Sequence, residues 1–273
     1  MLPTPSQQLL LAKSLRRQVE NMPNTNKVVK QVLARLMLLA LTLTPLSLVA
    51  VEPIKISIYT NYPPYLYHED GQHTGLYLKI VDLTLKAIDQ AYTVEVLPFK
   101  RGLYHAAAGD SIIVGILKTD QRMNTLDFSE PFYQERVSVY FNHQQHPRIK
   151  SVEELDGLRI GTLLGWSYGT EFDQAKANNR FFTKDGDLET NFYTLAKGRL
   201  DAVIHSELST DYILNKLKLK DEVFLGSEAL EIGNIYFAVK KGTHKTLLDR
   251  INKKLADPDH IREIDALIDS YKN

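Results

Sequence analysis

The chain has 273 residues, 44% hydrophobic and 24% charged, with 33 basic and 33 acidic side chains in formal balance. That length and composition suit one large domain or two smaller ones and exclude a collagen-like chain, a disulfide scaffold and wholesale disorder. There is no cysteine, so disulfides, thiol catalysis and thiolate-held metals are excluded as well. Six of the 33 basic residues but only one of the 33 acids precede Val51, which leaves the body after that point at net −5. A duplex nucleic-acid binder shows the opposite balance, and no nucleic-acid partner is expected.

The basic residues Lys27, Lys30 and Arg35 precede an uncharged, mostly apolar run from Leu36 to Val49, which ends at Ala50. A basic flank, an apolar stretch and a small residue are the parts of a secretory signal, with the cut placed after Ala50. The run is shorter than the roughly 20 apolar residues a bilayer span needs. An uncleaved anchor is the alternative, and it too leaves the body outside the membrane. A start at Met22 would give a signal of ordinary length, so residues 1–21 are read as an extension and not as part of the fold.

After Pro53 short apolar runs alternate with amphipathic segments. Residues 54–58 alternate with period two, as a strand does. Asn61-Tyr62-Pro63-Pro64-Tyr65 is a loop, since its prolines suit neither helix nor strand. Asp70-Gly71 marks a hairpin turn. A helix is predicted over 77–90 from Ile80, Val81, Leu85 and Ile88 on one face. A strand over 92–97, a helix over 101–108 closed by Gly109, and strands over 112–117 and 137–141 follow. Ser151 and Glu154 have the spacing of a capping box. Beyond it are a strand over 159–163, the turn Gly165-Trp166-Ser167-Tyr168-Gly169, and helices over 171–177 and 188–197. A strand over 202–204, a helix to about Leu217, a strand over 235–239 and helices over 243–256 and 259–271 complete the chain. Strands and helices in alternation argue an α/β fold with largely parallel sheets, and the pattern restarts near residue 151.

Four segments, in order, resemble the bacterial extracellular solute-binding proteins of family 3, the polar amino-acid class. They are Asn61–Tyr65 with Gly71 and Gly75; Thr119-Asp120-Gln121-Arg122 with Leu126-Asp127-Phe128-Ser129-Glu130-Pro131-Phe132-Tyr133; Leu155–Gly161 with Gly165–Gly169; and Gly198-Arg199-Leu200-Asp201-Ala202-Val203-Ile204. The resemblance covers about residues 53–271. It implies a bilobed periplasmic-binding-protein fold of type II, two α/β lobes joined by two crossing segments. Residues 53–141 plus 236–273 would form lobe 1 and 142–235 lobe 2, with crossings at Val137–Phe141 and Ile235–Val239. It also implies a periplasmic protein that closes its lobes over a small solute and delivers it to a membrane permease of the ATP-binding-cassette type. No cofactor, metal or catalytic residue is expected, and the protein is expected to be a monomer.

The resemblance places Arg122 on a ligand carboxylate, with Thr119 assisting; a guanidinium offers a rigid fork of donors that matches a carboxylate. Ser167, in the turn at a helix start, is a second candidate for that anion, and capping the helix is its structural alternative. Tyr62 and Phe99 match aromatic positions that flank the ligand in relatives. Trp166, Tyr168 and Arg101 are further cleft candidates. Two departures bear on the ligand. Ser206 stands where amino-acid binders of the family carry an aspartate for the α-ammonium, with Glu207 the nearest substitute, and Lys79 stands where relatives often have an acid. A cleft with Arg101 and Arg122 and no clear acid is expected to favour an anionic ligand.

No G-x-S-x-G elbow, H-E-x-x-H motif or phosphate-binding loop occurs. His143 and His146, followed by Pro147, read as an interlobe loop and not as half a metal site. Two alternatives to transport stand on the same resemblance: a sensory binding protein that docks to a membrane partner, and a dehydratase-like enzyme. The enzyme would need a cleft carboxylate with a perturbed pKa, for which Glu207 is the sequence's candidate.

Overall fold

In the computed structural model the described residues are 52–59, 62–142, 149–226 and 228–272. The leader with its cut after Ala50, Asn61 and the His143/His146 pair lie outside them.

In chain order, β1 (Ile54–Ile58) leads through the Tyr62–Leu66 turn to a hairpin, β2 (Tyr67–Glu69) and β3 (Gln72–Thr74). Asp70 and Gly71 turn the hairpin with φ of 49° and 79°, the positive values an Asp-Gly pair permits. Then come α1 (Leu76–Ala87), β4 (Tyr92–Val96), α2 (Phe99–Ala108), β5 (Ile112–Leu117), α3 (Asp120–Met123), β6 (Leu126–Phe128) and β7 (Tyr133–Asn142). A 3-10 turn over Val152–Leu155 precedes β8 (Arg159–Thr162), α4 (Thr170–Ala177), β9 (Phe182–Asp185), α5 (Leu188–Ala196), β10 (Ala202–Ser206) and α6 (Glu207–Leu217). Last are β11 (Val223–Leu225), β12 (Glu231–Lys240), α7 (Lys245–Leu255) and α8 (Pro258–Lys272).

One sheet runs β4-β1-β5-β12-β7-β10-β8-β9. β1 is parallel to β4 and β5, and β8 is parallel to β9 and β10. Parallel neighbours need crossover connections, which α1, α2, α4 and α5 supply. The long strands β7 and β12 stitch the two halves together. They pair antiparallel over Tyr133–Val137 and Glu231–Ile235. Past Val137, β7 pairs with β10; past Ile235, β12 pairs with β5.

The apolar cores divide the same way. One gathers Ile56, Tyr77, Val114, Phe237 and Ile251 from β1, α1, β5, β12 and α7, with Phe132 from just before β7. The others gather Val139, Phe141, Ile160, Phe172 and Ile204, and Tyr140, Phe192 and Val203. This is the bilobed α/β fold that the sequence implied. The capping box is not formed: Ser151 makes no capping bond, and the Glu154 carboxylate accepts the Lys150 N–H instead. β7 begins at Tyr133, four residues ahead of the predicted strand, because its first half alternates polar and apolar residues.

Candidate functional site

The site builds from the end of β5. Thr119 caps the short helix α3, its hydroxyl accepting the Arg122 N–H at 3.3 Å. That turn carries the Arg122 side chain back under the strand, where its Nη1 donates to the Leu117 carbonyl at 2.7 Å. The guanidinium carbon lies 5.4 Å from the Phe99 ring centroid, a cation–π contact. Burial pushes the Arg122 pKa down, partly offset by Tyr59 and by the negative charge of Asp173. Among the described residues no carboxylate pairs with Arg122 within 4 Å. It is a half-buried, fixed cation with one nitrogen given to a backbone carbonyl and no described carboxylate against it.

Around it stands a wall of aromatic rings from lobe 1. Tyr59 follows β1, Tyr62 and Tyr65 flank the diproline turn, and Phe99 opens α2. Tyr59 and Phe99 meet edge to face at 4.8 Å, and Tyr62 and Tyr65 lie 4.7 Å apart. The Tyr59 hydroxyl donates to the Gly115 carbonyl. Gly115 has φ of 78°, and a Cβ there would fall 2.7 Å from the Tyr77 ring, so the wall needs glycine at that point.

Lobe 2 answers with Trp166, whose ring lies 4.4 Å from Tyr62, 5.6 Å from Tyr59 and 5.5 Å from Phe99. His205 on β10 backs this contact, 5.3 Å from Tyr62 and 5.8 Å from Trp166. Burial lowers the His205 pKa to about 3, which keeps the ring neutral. Two residues on from Trp166 the chain turns inward: Tyr168 is buried, with its hydroxyl accepting the Leu163 N–H at 2.7 Å. The Ser167 hydroxyl donates to Asp173 at 2.5 Å, and Asp173 also accepts the Tyr168 N–H. The start of α4 is therefore served by the protein's own carboxylate. Glu231 crowds the same place, its pKa raised by burial and by Asp173 and Glu171.

Ser206 is buried at the end of β10, and its Oγ lies 2.8 Å from the Tyr65 hydroxyl, a direct polar link between the lobes. The structure thus brings Tyr62, Phe99, Thr119, Arg122, Trp166, Ser167 and Ser206 to one interlobe junction. Arg101 is exposed on α2 and makes none of these contacts. Lys79 lies against the Tyr271 ring of α8, 4.9 Å from its centroid.

Glu207 is taken by Arg136 and Ser138, which hold its two oxygens at 3.0 and 2.7 Å. Glu135, in the first half of β7, is a further acid, buried behind Tyr62. It is 6% exposed and the only buried carboxylate among the described residues. Tyr62 donates to one oxygen at 2.8 Å and Tyr77 donates to the other. Burial pushes its pKa up to about 7, against the pull of those two bonds. A signal for it was in the sequence: Tyr133, Glu135 and Val137 alternate with exposed Gln134 and Arg136, the period-two mark of an inward-facing glutamate.

Residues 54–273 match the family model of bacterial extracellular solute-binding proteins, family 3. A probable amino-acid-binding protein of Bacillus subtilis (strain 168), YxeM, is 23% identical over 218 residues, 77% of this chain and 80% of that protein. Among solved structures, a histidine kinase sensor domain with similarity to periplasmic binding proteins superposes with a TM-score of 0.72 at 15% identity, covering 81% of this chain and 96% of its own. The substrate binding protein of an amino acid ABC transporter gives 0.67 at 22%, covering 81% and 99%. No described helix is long and apolar enough to cross a membrane. With the family model spanning nearly the whole body and the fold in agreement, this chain belongs to the bacterial extracellular solute-binding proteins of family 3.

Proposed function

We propose that the protein is a periplasmic solute receptor that captures a small carboxylate-bearing solute, an amino acid or a relative of one, between its lobes and hands it to an ATP-binding-cassette permease without altering it. The observation that carries this reading is Arg122: a guanidinium held by Leu117 and Phe99, desolvated, and paired with no carboxylate among the described residues. A desolvated cation without a partner costs stability, and an incoming carboxylate offsets that cost. The lobes are residues 53–141 plus 236–273 and residues 142–235. They swing about the paired segments of β7 and β12, with Trp166 and the tyrosine wall as the closing faces.

Asp173 and Glu135 are both taken by the protein's own donors, so the Arg122 side of the junction favours the carboxylate of a solute over its ammonium. The test is tryptophan emission on adding L-cystine, L-histidine, L-arginine, L-glutamate and simple dicarboxylates in turn. A saturable response to at least one of them, lost in Arg122→Ala, supports the reading. No response to any compound overturns it.

Glu135 favours a second reading, an enzyme of the dehydratase type, because it is a cleft-side carboxylate that holds a proton near neutral pH. Both its oxygens are taken by tyrosine hydroxyls and it lies behind Tyr62, which suits holding a wall better than reaching a substrate. Unchanged recovery of each bound compound after prolonged incubation separates the two readings.

A further inference from the structure

Burying a carboxylate costs several kcal/mol unless a cation or a full set of donors compensates. Glu135 has no cation. The groups acting on it are its burial and the hydroxyls of Tyr77 and Tyr62. The other side chains that feel its charge are neutral tyrosines. Tyr59 follows β1, Tyr65 comes from the diproline turn, Tyr133 from its own strand and Tyr168 from lobe 2; all are held neutral by burial. Across the ladder its partner on β12 is Gly233, which has no side chain. The charged groups beyond this ring are Arg122, which reaches it through Tyr59, Glu207, which acts on Tyr133, and Asp185 and Asp173, which act on Tyr168.

The two tyrosines that hold Glu135 belong to different elements, α1 and the diproline turn, while Glu135 sits on a strand that joins the lobes. Tyr62 is also the ring nearest Trp166 across the junction. A carboxylate accepts from both hydroxyls at once. A carboxylic acid has a hydrogen of its own to place, and one tyrosine must then accept instead of donate.

We propose that Glu135 is a positioning residue for the ligand cleft: as a carboxylate it fixes Tyr62 against Trp166, and taking up a proton turns round one of its two tyrosine bonds, so that the tyrosine hydrogen must find another acceptor and the aromatic wall resets. The geometry makes the wall a proton-operated part of the receptor. Its bearing on ligand capture rests on the function proposed above, whereas the arrangement itself is read from the protein alone, so either can fail without the other.

Trp166 is the only tryptophan, so its emission reports the wall directly. The adjacent His205 does not titrate in the neutral range. The experiment follows Trp166 emission from about pH 5 to about pH 9 in the full chain, with no ligand added, for the wild type, Glu135→Gln and Tyr62→Phe. The wild type is expected to show a one-proton transition near pH 7. Glu135→Gln, close in shape and always neutral, is expected to lose that transition and to hold the low-pH emission throughout. Tyr62→Phe removes a donor to the carboxylate and is expected to move the midpoint upward. The same transition in Glu135→Gln, or none in the wild type, overturns the proposal. Should Glu135→Gln not fold, an unmoved midpoint in Tyr62→Phe overturns it alone.

Discussion

The hydroxyl of Tyr65 lies 2.8 Å from Oγ of Ser206, a hydrogen bond between residues 141 positions apart that joins the two lobes inside their junction. The position read from the sequence as the absence of an aspartate is therefore a structural contact. Ser206→Ala leaves the buried Tyr65 hydroxyl only its 3.4 Å approach to Tyr133. Losing a buried partner of this kind costs about 1–2 kcal/mol. The melting temperature is expected to fall by about 2–6 °C for a body of this size. Calorimetric melting of the two proteins measures it.

Arg122 is expected to trade stability for binding. Arg122→Met removes a desolvated, unpaired cation and keeps the packing on Phe99, so the melting temperature should hold or rise by a few degrees. Affinity for the captured solute should fall by roughly 30-fold or more, the scale of truncating one side of a buried charge pair. Arg122→Lys keeps the charge but not the fork, and should recover only part of the affinity. Titration calorimetry with the solute identified by the emission screen separates the three proteins.

Gly169 precedes α4 with φ of 103°, and a Cβ there would lie 2.4 Å from a Glu231 carboxylate oxygen. Gly169→Ala is expected to destabilise the protein by about 1–3 kcal/mol from backbone strain at this φ. Truncating Glu231 as well should not restore stability, because the strain lies in the backbone and not in the clash. Urea melts of the single and double variants check both statements.

Glu135 also gives stability a defined pH dependence. Its folded pKa of about 7 stands above the ordinary value of 4.5. Below pH 4.5 the group is protonated in both states and its burial costs least. As pH rises from 4.5 to 7 the unfolded chain releases a proton that the fold retains, so stability falls across that window and levels off above it. The shift corresponds to roughly 3 kcal/mol. The difference in unfolding free energy between wild type and Glu135→Gln should change by that order between pH 4.5 and 8, with the variant gaining on the wild type as pH rises. A difference that stays flat with pH would contradict the raised pKa.

How far the sequence revealed this site can be traced residue by residue. Strands with a clean apolar signal, such as Ile112–Leu117, were legible to their ends, and so were turns with one chemical solution, such as Asp70-Gly71. The first half of β7 carried only its period-two alternation, and nothing in composition shows that two tyrosines from distant segments will receive Glu135. Short strands such as Leu126–Phe128 and Val223–Leu225 are held by partners far along the chain, so their local pattern carries little signal. At the site, the motif of Thr119 and Arg122 could be found, and so could the turn around Trp166. That Ser167 would be claimed by Asp173 depends on side-chain geometry that spacing does not encode.

Arg122 and the Trp166–Tyr62 junction are proposed to receive a carboxylate-bearing solute between the lobes. The most direct measurement is titration calorimetry of wild type and Arg122→Ala against L-cystine, L-histidine, L-arginine, L-glutamate and dicarboxylates, with Trp166 emission followed in parallel. The account expects the wild type to bind at least one of these with a change in emission, and Arg122→Ala to bind it at least about 30-fold more weakly while remaining folded. Equal affinity in the two proteins would contradict it.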